Sequence, residues 1–219
     1  MMADGEGIRI AVLVSGKGRG TNLQAIIDAC EAGRIDGGVA VVIGVREDAP
    51  AMDRARNHSI PAVAISAKSL GSEEAYESTL LSTLREYEID LVCLAGYMRK
   101  VGQGIIDAYR DRIMNVHPAL IPMFFGQGMY GHHVHEAAIG RGVKYSGATV
   151  HFVDEDYDTG PIITQRVVPV LFEDTADTLA ARILPEEHKA YTEAIQLFAE
   201  NRLRVEGRRV KTLEAISSD

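Results

Sequence analysis

Short apolar runs alternate with stretches of helical periodicity along this chain. Residues 8–14 are β-branched and apolar, the texture of a strand buried on both faces. Residues 22–31 then set Leu23, Ile26 and Ile27 on one side of a helix. Residues 39–45 read as a second buried strand, 49–57 as a helix and 61–65 as a short third strand. The spacing predicts a longer helix over 72–87, with Ser72 as its cap and Glu74 in its first turn. Residues 91–95 and 113–117 read as the fourth and fifth buried strands.

This βαβα rhythm predicts an α/β fold, a doubly wound, mostly parallel sheet flanked by helices. The texture changes after Pro122. Residues 124–131, rich in glycine and aromatics, read as a loop, and 134–139 as a short helix. Strands are expected over 148–153 and 162–168, joined by an acidic loop at 154–161. Residues 175–200 have a helical pattern containing Pro185, where a break or kink is expected. No repeat, low-complexity tract or linker interrupts the chain. The expectation is one domain over 1–219, in halves 8–100 and 101–205 with a tail at 206–219.

Composition narrows the function classes. Lys and Arg total 23 against 31 Asp and Glu, a net charge of -8. That balance argues against nonspecific binding to nucleic acid or anionic membrane. Cys30 and Cys93 form no CxxC pattern, which argues against a disulfide framework and for a reduced, cytoplasmic setting. The acidic, polar start at Met1 to Gly7 does not suit a signal peptide. No apolar run approaches the ~18 residues of a membrane span.

Two segments carry candidate chemistry. Ser15-Gly16-Lys17-Gly18-Arg19-Gly20-Thr21-Asn22 lies between a strand and a helix. Backbone N–H groups at a helix start, unobstructed by side chains, suit a phosphate, and Lys17 and Arg19 could add charge. It is neither a Walker loop nor a dinucleotide fingerprint, since no Gly-Lys-Ser/Thr closes it and the third glycine falls at 20. A tight βα turn without ligand is the other reading.

In Asn115-Val116-His117-Pro118, period-two geometry puts Asn115 and His117 on one face at a strand's carboxyl end, where α/β sheets hold ligands. Pro118 keeps His117 extended. An amide beside an imidazole can stabilise an oxyanion, though a strand-end histidine can equally cap a loop. Asp158, ahead of Gly160-Pro161 and after a strand, is placed to reach back toward a neighbouring strand end. A carboxylate there would orient His117 and favour its protonated form. Asp154 to Asp156 read as a solvated loop.

The ordered set resembles the 10-formyltetrahydrofolate-dependent formyltransferases. The residues that carry the resemblance are Asn115-x-His117-Pro118, Val150-His151-Phe152-Val153 and Asp158-x-Gly160-Pro161. Supporting segments are Thr21-Asn22-Leu23-Gln24-Ala25-Ile26, Leu94-Ala95-Gly96-Tyr97-Met98-Arg99 and Glu187-His188-x-x-Tyr191. It covers residues 8–205.

The resemblance implies transfer of the formyl group of 10-formyltetrahydrofolate to the amine of glycinamide ribonucleotide in purine synthesis, without a metal. By resemblance, Asn115 and His117 hold the oxyanion and Asp158 supports the imidazolium and moves the amine proton. Gly18, Arg19, Gly20, Thr21 and Asn22 would bind the substrate phosphate, and Glu187 its glycinamide or ribose end. Met98, Arg99, Lys100, Val101, Val153, Asp154 and Asp158 would meet the folate. The 8–100 half then binds phosphate and the 101–205 half is catalytic. The partners implied are these small molecules, with no nucleic acid and no membrane, on a monomer or homodimer.

Three features depart from the family pattern: a first loop two residues longer, Ala119 where Ser is usual, and a longer 124–130 stretch. Rival readings are a formyltetrahydrofolate hydrolase, disfavoured because the sheet begins at Ile8 with no room for a regulatory domain, and a non-catalytic nucleotide-binding module. In the sharpest form of the latter, Arg46 or Glu47 would read a dinucleotide ribose. A metal site on His132, His133 and His135 is disfavoured because their close spacing mixes directions and no cysteine joins them.

Overall fold

The computed structural model describes residues 7–16 and 18–215. Lys17, the segment 1–6 read for a signal peptide, and 216–219 of the expected tail lie outside the described residues. The chain divides into two units, Met1–Met114 and Asn115–Asp219.

The first unit alternates strand and helix as the hydrophobic pattern predicts. Its order is β1 (Ile8–Val14), α1 (Thr21–Glu31), β2 (Gly37–Gly44), α2 (Pro50–Asn57), β3 (Ala62–Ala64), α3 (Ala67–Leu70), α4 (Glu73–Glu86), β4 (Leu91–Ala95) and α5 (Gln103–Ala108). The strands lie in the order β3-β2-β1-β4, all parallel. Ile10, Ala11 and Val12 of β1 are fully buried, as are Leu91, Val92 and Cys93 of β4. This explains the unbroken apolar runs: a strand with covered faces has no solvent side on which to alternate. Val14 pairs with Ala95, so the loops leaving β1 and β4 emerge side by side at the carboxyl end of the sheet. Ser72 caps α4 by accepting the Ala75 N–H at 3.1 Å, as its position before the periodic stretch predicts.

β5 (Ile113–His117) contains the division between the units, and the rest of the second unit is α6 (His132–Gly140), β6 (Tyr145–Phe152), β7 (Ile162–Pro169), α7 (Ala176–Ala199), β8 (Leu203–Glu206) and β9 (Arg209–Thr212). Its strand order is β5-β6-β7-β9-β8. β6 and β7 are antiparallel, β7 and β9 parallel, and β8 and β9 form an antiparallel hairpin. Leu179 and Ile183 of α7 pack with Ala138 of α6, Ala148 of β6 and Val168 of β7. Burying each of those two large side chains contributes roughly 1.5–3 kcal/mol, which anchors α7 on the sheet. The chain is therefore α/β, with a mostly parallel sheet flanked by helices.

Two expectations are corrected. α7 runs unbroken through Pro185. A proline removes one N–H donor, to the Ala181 carbonyl, and the capping box at Thr175 and the apolar face of α7 hold the rest of the helix. The hairpin β8–β9 occupies residues 203–212, part of which was read as tail.

Candidate active site

Asn115, His117 and Asp158 come together in the second unit. Asn115 and His117 project from the same face of β5, as period two requires. Asp158 sits in the loop between β6 and β7 in a left-handed conformation, φ 57°, which aspartate tolerates better than most residues. Asn115 Nδ2 donates to Asp158 Oδ1 at 3.2 Å, and His117 Nδ1 faces Asp158 Oδ2 at 3.5 Å. The Gly126 N–H donates to Asp158 Oδ2 at 3.1 Å.

A fourth residue belongs to this cluster. His151 of β6 lies with Nε2 3.3 Å from Asn115 Nδ2 and 3.5 Å from Asp158 Oδ1. The sequence reading used His151 only as part of a motif and gave it no role. The available signal was an ionisable side chain within a strand expected to be buried: the chain keeps an imidazole that is 2% exposed.

Hydrogen bonding fixes both rings. A carbonyl can only accept, so His117 Nε2 carries the hydrogen that meets the Phe124 oxygen at 2.8 Å. His151 Nδ1 likewise donates to the Phe152 oxygen at 2.7 Å. The unshared nitrogens, His117 Nδ1 and His151 Nε2, are therefore the ones turned to Asp158. His151 Nε2 lies within reach of both the Asn115 amide and Asp158 Oδ1: it accepts from the amide when the ring is neutral and donates to the carboxylate when the ring is protonated. One hydrogen of the amide is directed to the carboxylate.

Electrostatics follow from this packing. Burial pushes the His117 imidazole below its ordinary value, against the opposing pull of the Asp158 carboxylate and the Phe124 carbonyl. Burial alone would raise the Asp158 carboxyl. The hydrogen bond from His151, the His117 charge and the Gly126 N–H outweigh it and hold the group below the usual range. The site is an ionised carboxylate between two imidazoles, with an amide alongside. It can hold a proton at His117 Nδ1 and offer N–H donors to a developing negative charge.

The loop carrying Asp158 is tied down from within. Asp154 Oδ1 accepts the Thr159 hydroxyl at 2.6 Å and the Asp156 N–H at 3.3 Å. Asp154 thus has its side chain engaged in ordering the loop. At Gly160 an added Cβ would stand 1.9 Å from the Phe152 carbonyl oxygen, so only glycine lets the loop return to β6.

The first unit holds most of the other expected site residues. The Gly18 N–H donates to Ser15 Oγ at 3.0 Å, which folds the glycine loop on itself. Gly20, φ 69°, starts α1 without a side-chain cap, and a Cβ there would meet the Ala51 Cβ at 2.9 Å. Arg54 of α2 donates to the Arg19 carbonyl at 2.7 Å and to Gln24 Oε1 at 2.9 Å. Gly18 and Arg19 are exposed, while Thr21 and Asn22 are half-buried.

After β4, Met98 and Lys100 are exposed and Val101 is buried. The Arg99 guanidinium pairs with Glu73 and lies 4.5 Å from the centre of the Tyr76 ring. Tyr76 in turn shares a 2.8 Å hydroxyl hydrogen bond with Tyr97. Arg99 is therefore held by α4. Arg46, weighed as a ribose reader, pairs with Asp48 at 2.8 Å through Nε.

In the second unit, Val153 is half-buried, as is Glu187 on α7. The three close histidines diverge: His132 faces Asp177 at 3.7 Å, His133 faces Glu136 at 3.5 Å, and His135 is buried. Among the described residues no group of three His, Cys, Asp or Glu side chains could hold a metal ion.

Residues 8–195 match the model of the formyl transferase family. The chain is 42% identical over 195 residues to the chloroplastic phosphoribosylglycinamide formyltransferase of Vigna unguiculata, a match covering 89% of this chain and 62% of that protein. The chain thus spans less than two thirds of that relative's length. It is 38% identical over 198 residues to the phosphoribosylglycinamide formyltransferase of Escherichia coli (strain K12), covering 90% of each. The solved structure of glycinamide ribonucleotide transformylase 1 from Symbiobacterium toebii matches with a TM-score of 0.90 and 49% identity, over 96% of both chains.

Proposed function

Because the chain belongs to the formyl transferase family, we propose that it transfers the formyl group of 10-formyltetrahydrofolate to the amine of glycinamide ribonucleotide. The observation that carries this reading is the Asn115–Asp158–His117 cluster, an amide and an imidazole held on one carboxylate with no Ser or Cys nucleophile among them. An amine acceptor is itself a nucleophile. Acyl transfer to it requires oxyanion stabilisation and proton management, which are the capacities of this set.

The amine nitrogen attacks the formyl carbon, and the carbonyl electron pair moves to oxygen. The Asn115 amide and protonated His117, through Nδ1–H, stabilise that oxygen. The Asn115 contacts at 3.2 and 3.3 Å are longer than the usual ~2.9–3.0 Å, so redirecting one hydrogen to an oxyanion costs little. Asp158 supports the imidazolium and takes the amine proton through water. Collapse of the adduct breaks the bond to N10 of the folate, which leaves with a proton and yields tetrahydrofolate and the formamide.

The glycine loop, Gly18 to Asn22, is assigned the acceptor's phosphate, supported by a start of α1 without a side-chain cap and by the exposure of Gly18 and Arg19 ahead of it. Glu187 is assigned the acceptor's glycinamide or ribose end. The folate is assigned to residues 98–101 and 153–158. The flat pterin is assigned to backbone groups of these segments, beside the exposed Met98 and Lys100. The free cysteines Cys30 and Cys93 support a reducing, cytoplasmic setting.

The test is a spectrophotometric assay of tetrahydrofolate release with and without glycinamide ribonucleotide, beside Asp158→Asn and His117→Ala. Release that depends on the acceptor and is lost in both variants supports the reading. Equal release without acceptor would make the protein a hydrolase. Full activity in both variants would remove the assigned cluster.

A further inference from the structure

The hairpin at the end of the chain reaches the loop that carries Asp158. Arg208, in the turn between β8 and β9, donates through Nη2 to the carbonyl oxygen of Thr159 at 2.7 Å. Arg209, the next residue, pairs with Ile162 where β7 leaves that loop. The hairpin is thereby docked at the strand base and projects one guanidinium onto the Thr159–Gly160 peptide, one residue past Asp158.

The location of that carbonyl gives the contact its meaning. The Thr159–Gly160 peptide has glycine on its carboxyl side, where no side chain can stand because of the Phe152 carbonyl. Glycine leaves such a peptide freer to rotate than any other residue would. One residue before this peptide, Asp158 is held in the left-handed region, φ 57°, a conformation that relaxes if its neighbours allow it. The Asp154–Thr159 contact restrains the Thr159 side chain, and the carbonyl is restrained from outside by Arg208.

We propose that Arg208 is a positioning residue for the formyl-transfer site: by pinning the Thr159 carbonyl it holds Asp158 against Asn115 and His117. This rests on the reading of Asp158 as the carboxylate of the reaction. Arg208 touches no reacting atom. Its effect runs through the loop, so it acts on turnover more than on substrate binding. A solvent-exposed hydrogen bond of this kind corresponds to about a five- to tenfold change in kcat.

Arg208→Ala, Arg208→Lys and Asp158→Asn are assayed for kcat and for KM of both substrates across pH, with Arg204→Ala as a hairpin control. The expected result is a five- to tenfold fall in kcat for Arg208→Ala, with both KM values within twofold of wild type. Its acid limb should move to higher pH as the carboxylate loses its fixed partners. Arg208→Lys, whose ammonium still donates to a carbonyl, should recover most of the rate, and Arg204→Ala should match wild type. Wild-type kcat and pH profile in Arg208→Ala, with Asp158→Asn inactive, overturns this inference alone. Equal losses in Arg208→Ala, Arg208→Lys and Arg204→Ala with an unshifted profile also overturn it, because the hairpin then acts only as scaffold. Full activity in Asp158→Asn removes the reading of Asp158 and this inference together.

Discussion

His117 donates its Nε2 hydrogen to the Phe124 carbonyl at 2.8 Å, which leaves Nδ1 as the nitrogen facing Asp158 Oδ2 at 3.5 Å. One nitrogen is thus used for orientation and the other for chemistry. Asn carries its amide near the position of Nδ1, and Gln near that of Nε2. His117→Gln should keep the Phe124 contact and lose the donor toward the formyl oxygen. His117→Asn should do the reverse. Both should lose about 10²–10³ in kcat, as for a removed oxyanion donor, with His117→Asn the less impaired. Steady-state kinetics of the pair check this, and a more active His117→Gln would assign the chemistry to Nε2.

His151 directs the Asn115 amide and supplies the leading influence that lowers the Asp158 carboxyl. His151→Leu leaves an Asn115 hydrogen and the Phe152 carbonyl unmatched and removes that influence. Losing a buried hydrogen bond of this sort costs ~1–3 kcal/mol, or about 5–150-fold in turnover. The Asp158 carboxyl should then titrate higher, so the acid limb of kcat moves up in pH. A kcat–pH profile superimposable on wild type would show that His151 only packs.

How far the sequence revealed this site depended on how local each signal was. Asn115 and His117 were readable because period two and Pro118 fix their face and backbone without reference to the rest of the chain. Asp158 was readable from its place before Gly160-Pro161. His151 needed its partners: only the pairing of β6 in the second unit turns its imidazole from a strand residue into part of the cluster. Arg99 shows the same limit from the other side. Its place just past β4 suggested ligand contact, while Glu73 and Tyr76, which position its guanidinium, sit far off in sequence on α4.

Among the elements, the buried strands stood out as apolar runs. α3 and α5 are too short for a helical period to establish itself. The hairpin β8–β9 is charged on one face, pairing Arg204 with Lys211 and Glu206 with Arg209, so its apolar half, Val205 with Val210, was diluted below notice. Its Gly207-Arg208 turn was the available signal.

Gly160 and Gly104 should respond oppositely to alanine. A Cβ at 160 would stand 1.9 Å from a backbone oxygen that cannot swing away, while at 104, inside α5, it meets open space. Gly160→Ala should destabilise the protein by at least ~2 kcal/mol, the scale of forced overpacking, and should lower kcat by displacing Asp158. Gly104→Ala should stabilise by roughly 0.5–1 kcal/mol by removing a flexible helix interior. Urea unfolding measures both, and a neutral Gly160→Ala would mean that the return to β6 is not as tight as the geometry requires.

His135 makes stability pH-dependent in a defined window. The ring is 4% exposed, and burial first, then His132 and His117, hold it down from 6.5 to about 4. The folded state therefore keeps His135 neutral while the unfolded chain takes up a proton. The unfolded state binds more protons between pH 6.5 and 4, so stability falls as pH drops through that window and levels off below it. A shift of this size is worth on the order of 3 kcal/mol across the window. His135→Leu removes the proton uptake, so its unfolding free energy should vary less with pH between 6.5 and 4. The two curves should run parallel above 7, where both rings are neutral. Urea unfolding at half-unit pH steps measures the difference, and equal slopes in the two proteins would mean that His135 is protonated in the fold.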